Sequence, residues 1–207
     1  MGECILSSVL YGWYYGPEYN SLSLDEKEAN ASKAMSHLRQ NGFTIWAAAG
    51  IVGNMWAESG MNPGLWQGGI QHAFEPHIGY GLVQWTYWED FWPWPAGSTD
   101  WENNGPRQCE RIEYERDTND QFYTPSGYPH LTWTDYETIR PTNTETDNDT
   151  VNRAAEIFMY YYIRPGNPAG TLVNRQYHAR YVFANCPGNA LAPWLLMWWS
   201  KKNRRVM

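Results

Sequence analysis

The most constraining feature of the sequence is the stretch Ile45–Ser59, which is rich in apolar residues and carries one charged side chain, Glu58. Thr44 precedes it in the position of a helix N-cap, and Gly60 follows where helices end in the left-handed conformation. A helix this apolar must be buried on most of its sides. The stretch therefore predicts a central helix with the rest of the fold packed around it.

Further helices are expected on both sides of this segment. Ser23 and Glu26 form a capping-box pattern that opens a helix ending near Gly42. Residues 61–106 are rich in Gly, Pro and Trp, which is typical of loops and short strands, and residues 118–147 read mainly as loop. The remaining predicted helices cover 107–117, 150–163 and 170–185. The pattern indicates a mainly α (α+β) fold with a helical lobe and a small irregular or β lobe.

A chain of 207 residues fits a single core. We expect an N-terminal segment at 1–22, one domain at 23–188, and a C-terminal segment at 189–207 that is both aromatic and basic. The C-terminal segment is too short to cross a bilayer. We favour its docking on the protein's own core; a membrane surface or a partner protein is the alternative.

Composition excludes several classes of function. Lys and Arg number 15 against 22 Asp and Glu, a net charge of −7, which disfavours nucleic acid and anionic lipid as partners. No apolar run is long enough for a transmembrane helix, and the N-terminus lacks the features of a signal peptide. The three cysteines show no CxxC spacing. The group His72, Glu75 and His77 fits no standard zinc pattern, so we expect no metal and no cofactor.

Glu58 is the candidate for chemistry. Its apolar neighbours Ile51, Met55 and Trp56, and the negative end of the helix dipole, all favour the neutral carboxyl group. A carboxyl group that keeps its proton near neutral pH can protonate the leaving oxygen when a glycosidic bond breaks. The alternative is a buried structural glutamate that is hydrogen-bonded by Asn54 or Gln84.

Two segments carry a resemblance to a known family: GIVGNMWAESGMNPGLWQ at 50–67 and GYGLVQWT at 79–86. They resemble the phage tail lysozyme family, the lysozyme-like domain of bacteriophage tail-associated lysins, and more distantly lytic transglycosylases and goose-type lysozymes. The resemblance covers residues 25–185. It implies a lysozyme-like fold, Glu58 as the catalytic acid, and cleavage of the β-1,4 bonds between N-acetylmuramic acid and N-acetylglucosamine in peptidoglycan. It also implies a place in the virion tail beside other tail proteins, after synthesis in the host cytoplasm without a signal peptide.

The same two segments supply the expected substrate contacts. Trp66, Tyr80 and Trp85 could stack on sugar rings, and Asn62, Gln67, Gln84 and Thr86 could bind hydroxyl and acetamido groups. Core packing is the alternative for every tryptophan, and it is favoured for Trp46 and Trp56 on the buried helix.

A second carboxylate is not identified. Glu75, Glu89 and Asp90 are candidates in the irregular lobe, and Ile163 occupies a position where the family often has an acid before Arg-Pro. Without a partner acid, transglycosylase chemistry becomes the alternative reaction. The rival class is an inert structural tail-tip or glycan-binding protein that keeps the lysozyme fold. The chain length leaves no room for the peptidase domain of many family members, so we expect glycan cleavage alone.

Overall fold

The computed structural model describes residues 8–69, 78–86, 104–186 and 188. Within these ranges the fold is mainly helical, as the sequence predicted, and it contains one small antiparallel hairpin, β1 (Ser8–Leu10) paired with β2 (Trp13–Tyr15). The helices in chain order are α1 (Leu24–Gln40), α2 (Ile45–Ser59), α3 (Gly105–Asp117), α4 (Trp133–Glu137), α5 (Asp147–Phe158) and α6 (Pro168–Asn185).

Helices α1 and α2 form as their end signals predicted. The Ser23 side chain accepts from the Glu26 N–H, and the Glu26 carboxylate accepts in return from the Ser23 N–H at 2.8 Å. The Thr44 side chain accepts from the Ala47 N–H, and Gly60 ends α2 in the left-handed conformation at φ 59° and ψ 33°. These contacts satisfy backbone groups that a helix end would otherwise leave unpaired.

Helix α2 is the centre of the core and packs against α1, α5 and α6. Two of its glycines allow this approach. A Cβ atom on Gly53 would lie 2.5 Å from the backbone of Ala179 in α6, and one on Gly50 would lie 2.7 Å from the Ala154 carbonyl carbon in α5. The backbones of the three helices therefore pack too closely for any larger residue at these two positions.

The later helices differ from the prediction in three places. The segment 118–147, expected as loop, contains the short helix α4, whose N-terminus carries a capping box between Thr132 and Asp135. Helix α5 begins at Asp147 rather than at residue 150, behind a second capping box formed by Thr146 and Asp149. After Phe158 the helix continues as a π-helix, Met159–Ile163, and it ends at Arg164 in the left-handed conformation with φ 52°.

The N-terminal segment is attached to the helical core. Trp13 is buried in the core, and the side chain of Asn30 in α1 donates to the Tyr14 carbonyl at 2.7 Å and accepts from the Tyr14 N–H at 3.0 Å. The irregular lobe contributes two isolated β-bridges, Trp66 with Tyr80 and Tyr80 with Trp85. The boundaries at 22/23 and 188/189 stay predictions, and the C-terminal segment 189–207 lies outside the described residues.

Two further observations concern the classes of function considered from composition. None of the described helices combines the length and the apolar character that a bilayer crossing requires. Cys109 and Cys186 are buried free thiols, whereas Cys4 lies outside the described residues.

Candidate active site

Glu58 lies in the last turn of α2 and faces a cleft with a volume of about 440 Å³. Its side chain is 18% exposed, so the carboxyl group is reached from outside. The irregular lobe lines the cleft with Gln67, Gly68, Gly79, Val83, Gln84 and Thr86, and the turn after the π-helix lines it with residues 163–166. An acid at the junction of the two lobes is positioned to meet an extended ligand.

A buried arginine holds the Glu58 carboxylate in place. Arg175 of α6 is 4% exposed, and its Nη2 donates to Glu58 Oε1 at 2.5 Å. The same guanidinium donates through Nη1 to Asn54 Oδ1 at 2.9 Å and through Nε to Thr171 Oγ1 at 3.3 Å. A guanidinium at this distance forms a charge-assisted hydrogen bond that fixes the direction of the carboxylate.

The two residues considered as structural partners of Glu58 bind elsewhere. The Asn54 amide nitrogen donates to the carbonyls of Gly50 and Ala155, at 2.9 and 3.0 Å. The Gln84 amide nitrogen donates to the carbonyls of Leu65 and Gly81, at 3.0 and 2.9 Å. Asn54 thus orients Arg175, and Arg175 in turn orients Glu58.

Four of the predicted site residues share this cleft: Glu58, Gln67, Gln84 and Thr86. Gln67 is exposed, its N–H donates to the Gly79 carbonyl at 2.7 Å, and its Oε1 accepts from the Gly79 N–H at 2.8 Å. Gln84 has a positive φ of 53° and closes the turn at 81–84. The two glutamines therefore stabilise the loops of the irregular lobe and also line the cleft.

Three other predicted contacts are buried. Asn62 is 0% exposed, and its side chain binds the backbone of Gly16, Glu18 and Gly64. Trp66 and Tyr80 are 3% and 2% exposed, and their ring centroids lie 4.6 Å apart. These placements build the irregular lobe and join it to the N-terminal segment.

Trp85 lines a second cavity of about 360 Å³ that adjoins the Glu58 cleft. Both share Val83, Gln84, Thr86, Ile163 and Arg164 as lining residues, so the two cavities are adjacent, and together they are called the groove below. The Trp85 Nε1 donates to the Tyr162 hydroxyl at 2.9 Å. Trp46 and Trp56, expected in the core, differ in burial: Trp56 is 6% exposed, whereas Trp46 is half-buried and donates to Asp147.

The second cavity contains a cluster that the sequence did not predict, the ion pair of Arg111 and Glu115 together with the neutral Tyr162. Glu115 is fully buried, its Oε1 accepts from Arg111 Nε at 2.6 Å, and its Oε2 accepts from the Tyr162 hydroxyl. Burial raises the pKa of Glu115, and Arg111 opposes the shift. Burial, and next the charge of Glu115, raise the pKa of Tyr162 well above its ordinary value. The spacing of Arg111 and Glu115 on one helix predicts an ion pair but not its burial.

Comparison with known sequences identifies relatives of this chain. A sequence profile of the phage tail lysozyme family matches residues 29–185. The chain belongs to this family. Membership identifies a lysozyme-like, cell-wall-related phage protein. Morphogenesis protein 1 of Bacillus phage B103 is 30% identical over 167 residues, which is 81% of this chain and 42% of that relative. The chain thus spans less than half the length of that curated relative.

Ile163 stands at the position where the resemblance to phage tail lysozymes led us to expect an acid. The structure places Ile163 in the lining of both cavities, beside Glu58 and Glu115. Within the described residues, these two glutamates are the carboxylates that line the groove. Glu75, Glu89 and Asp90 lie outside the described residues.

The N-terminal segment also contributes a residue near the acid of this phage tail lysozyme domain. Burial, and next the negative charge of Glu58, raise the pKa of Tyr19. The ammonium group of Lys27 lies 5.2 Å from the centre of the Tyr19 ring. No sequence signal in residues 1–22 indicated this proximity.

Metal ligation has no candidate in the part of the chain that the structure describes, where no three His, Cys, Asp or Glu side chains stand together. The group His72, Glu75 and His77 lies outside that part.

Proposed function

We propose that this protein cleaves the β-1,4 bonds between N-acetylmuramic acid and N-acetylglucosamine in peptidoglycan, with Glu58 as the catalytic acid. The observation that carries the proposal is the placement of Glu58, whose side chain is 18% exposed and lines a groove between the helical core and the irregular lobe. Arg175 engages Oε1. Within the described residues, Oε2 is the oxygen that remains to meet a substrate.

The proton required for bond cleavage is held at this carboxyl group once substrate is bound. A glycan strand that covers the cleft excludes water from Glu58, and this favours the neutral acid over the carboxylate. The neutral acid then donates its proton to the leaving oxygen as the glycosidic bond breaks. Arg175 fixes the direction of the carboxyl group and stabilises the carboxylate that forms after the proton has left.

The groove supplies polar and aromatic contacts for the sugars. Gln67 and Thr86 are exposed beside Glu58 and offer donors and acceptors to hydroxyl and acetamido groups. Trp85 presents an indole at the adjoining cavity, where a pyranose ring would stack. Asn62, Trp66 and Tyr80 are buried and hold the loops of the irregular lobe in place. Asn62 binds the Gly16 backbone, and Trp66 and Tyr80 pack against each other.

The decisive experiment is clearing of purified peptidoglycan by the wild type and by Glu58→Gln. Glutamine keeps the size of the side chain and an oxygen that can accept from Arg175, but it cannot donate an acidic proton. We expect the clearing rate to fall by about a hundredfold or more. Glu110→Gln is the matched control, because Glu110 forms a partly exposed pair with Arg107 away from the groove. Unchanged clearing by Glu58→Gln, with an unchanged unfolding curve, would discard the assignment.

One observation favours the alternative, an inert glycan-binding or structural tail-tip protein. Glu58 is ion-paired with a buried arginine, and an acid with a purely structural role forms the same kind of pair. The clearing assay, together with co-sedimentation of the protein with insoluble peptidoglycan, separates the two: if the protein is inert, the wild type and the Glu58→Gln variant would bind peptidoglycan equally well, and neither would clear it.

We further propose that the protein acts in the virion, as part of the phage tail, with glycan strands and other tail proteins as its partners. The relative from Bacillus phage B103 carries the name of a morphogenesis protein, and this supports a place in an assembled particle. Detection of the protein in purified virions by mass spectrometry, and its localisation to the tail by immunogold labelling, would test this proposal.

A further inference from the structure

We infer that Arg164 binds a carboxylate-bearing substituent of the glycan strand, at a site between Glu58 and the Arg111–Glu115–Tyr162 cluster. The inference rests on the proposed function, because it names the part of the substrate that the groove distinguishes. It assigns to Arg164 the choice of the muramic acid unit over its neutral neighbour.

Arg164 stands where the two cavities meet. It lines the cleft that contains Glu58 and also the cavity that contains Glu115. The residue is exposed, and it follows directly on the π-helix Met159–Ile163. A substituent that projects from a sugar bound near Glu58 would therefore meet this side chain.

The backbone at Arg164 is unusual. It has φ 52° and ψ 55°, and its N–H donates to the Met159 carbonyl at 2.7 Å. A left-handed conformation is uncommon for residues with a side chain, and such positions cluster at functional sites. Glycine would adopt this conformation without strain. Six non-glycine residues of the described chain have a positive φ, and two of them, Gln84 and Arg164, line both cavities.

The charges around Arg164 are also informative. The Glu115 oxygens are engaged by Arg111 and Tyr162, so this carboxylate is already compensated. Arg164 donates through Nη2 to Gln121 Oε1 at 3.1 Å, and its guanidinium lies 4.8 Å from the centre of the Tyr123 ring. Both of these partners are neutral. Within the described residues, Arg164 forms no ion pair with a carboxylate; the neighbouring Asp120 carboxylate accepts instead from the Tyr123 hydroxyl at 3.2 Å and from the Gln121 N–H at 2.7 Å.

The chemistry of the guanidinium indicates the ligand. Its planar set of donors matches a carboxylate with two parallel hydrogen bonds. N-Acetylmuramic acid differs from N-acetylglucosamine by a lactyl ether, which ends in a free carboxylate or in a peptide stem that carries carboxylates of its own. N-Acetylglucosamine offers no such group, so an arginine beside the acid separates the two sugars by charge.

The test measures the dissociation constants of three glycans in the Glu58→Gln background, so that binding is separated from cleavage. The glycans are peptidoglycan fragments with peptide stems, amidase-treated strands with free lactyl carboxylates, and neutral N-acetylglucosamine oligomers. Arg164→Gln should weaken binding of a carboxylate-bearing glycan by about tenfold to a hundredfold, and binding of the neutral oligomer by less than about threefold. High salt should also weaken the preference of the protein with Arg164 for carboxylate-bearing glycans over the neutral oligomer.

Matched variants separate the charge from the backbone. Arg164→Gly removes the side chain at a position where glycine is unstrained, so it should fold normally and lose the same preference. Arg164→Lys should retain part of it. Arg140→Gln, which removes an exposed arginine outside the residues lining the groove, should bind all three glycans as the wild type does.

The outcomes are distinct. If Arg164→Gln loses affinity only for the stem-bearing fragments, the bound carboxylate belongs to the peptide. If it loses affinity for the amidase-treated strands, the bound carboxylate belongs to the lactyl group. An equal loss on all three glycans, or none on any, overturns the inference. If the wild type clears peptidoglycan while Arg164→Gln changes nothing, the proposed function stands and this inference fails. If Arg164-dependent binding is found without any clearing, the proposed reaction fails and the carboxylate site remains.

Discussion

Arg175 and Glu58 are separated by 117 positions in the chain, yet the Nη2 of one lies 2.5 Å from the Oε1 of the other. The pair joins α6 to the end of α2, the helix around which the other core helices pack. Asn54, one turn before Glu58 on α2, holds the same guanidinium through Nη1. The direction of the candidate acid is therefore set by a distant helix as well as by its own.

Replacement of Arg175 by methionine should impair the reaction more than it impairs binding. The variant removes the hydrogen bonds that orient Glu58, and it leaves the buried Asn54 oxygen without its partner. We expect kcat to fall by more than about tenfold, with a smaller change in KM, and a loss of about 1–3 kcal/mol in the free energy of unfolding. Steady-state kinetics and urea denaturation measure the two effects.

Two further variants check that role. Arg175→Lys should recover part of kcat, since it keeps a donor near Glu58. Arg180 lies on the same helix as Arg175 and donates to Asn152 instead of Glu58. Arg180→Met should therefore leave kcat unchanged. An effect of Arg175→Met on stability alone, with kcat intact, would show that the pair is purely structural.

The reaction products should carry reducing muramic ends. A hydrolase passes the released sugar to water, which in an inverting enzyme approaches the ring on the face opposite the acid, so exclusion of water from Glu58 does not prevent this reaction. Mass spectrometry of the released fragments distinguishes reducing ends from 1,6-anhydro ends. A dominant anhydro product would move the enzyme to the lytic transglycosylases, with the sugar's own hydroxyl as the nucleophile.

Gly53→Ala should destabilise the core. The added Cβ atom would lie 2.5 Å from the backbone of Ala179, a distance that forces α2 and α6 apart. We expect a loss of about 1–3 kcal/mol in the free energy of unfolding. Gly166→Ala is the control for stability, because nothing lies within 4 Å of a Cβ atom there. Equal unfolding midpoints for the two variants would contradict the close packing of α2 against α6.

Acid should weaken the turn before α5. Hydrogen bonds from the Arg153 side chain, and next from the Thr142 N–H, lower the pKa of Glu145 from 4.5 to about 2. Because the folded-state pKa is the lower one, this stabilisation is fully present above about pH 4.5 and is lost as the pH falls towards about 2. Over that window, the free energy of unfolding should fall less steeply for Glu145→Gln than for the wild type. Identical slopes would show that Glu145 makes no such contribution.

The helices that could be predicted are those whose ends carry local signals. Ser23, Thr44 and Gly60 determine the limits of α1 and α2 through contacts within a few residues, and the sequence displays them directly. The capping boxes at Thr132 and Thr146 are equally local, and their recognition would have located α4 and the true start of α5. The π-helix has no such signal, because it depends on packing against the rest of the fold.

The sequence grouped Glu58, Gln67, Gln84 and Thr86, which the structure brings to one cleft, but it did not predict the contacts that line the candidate site. The segments around Glu58 and Gln84 indicated the groove because their residue types are typical of sugar clefts. Which side chains face the groove depends on long-range pairing, and this is why Trp66 and Tyr80 are buried against each other while Trp85 reaches the second cavity. Arg164 and Arg175 belong to segments far along the chain, and only the assembled fold brings them to Glu58.

The helix that carries Glu58 is enclosed by α1, α5 and α6, and its glycines tolerate no change of size. The facing wall at 163–166 is instead a turn that begins where a π-helix ends. In the proposed reaction, proton donation depends on an enclosed helix that tolerates little change, whereas recognition of the glycan depends on a turn that can vary more freely. A descendant of a protein that works in this way could adapt to a new host's wall by altering the turn, while Glu58 keeps its place.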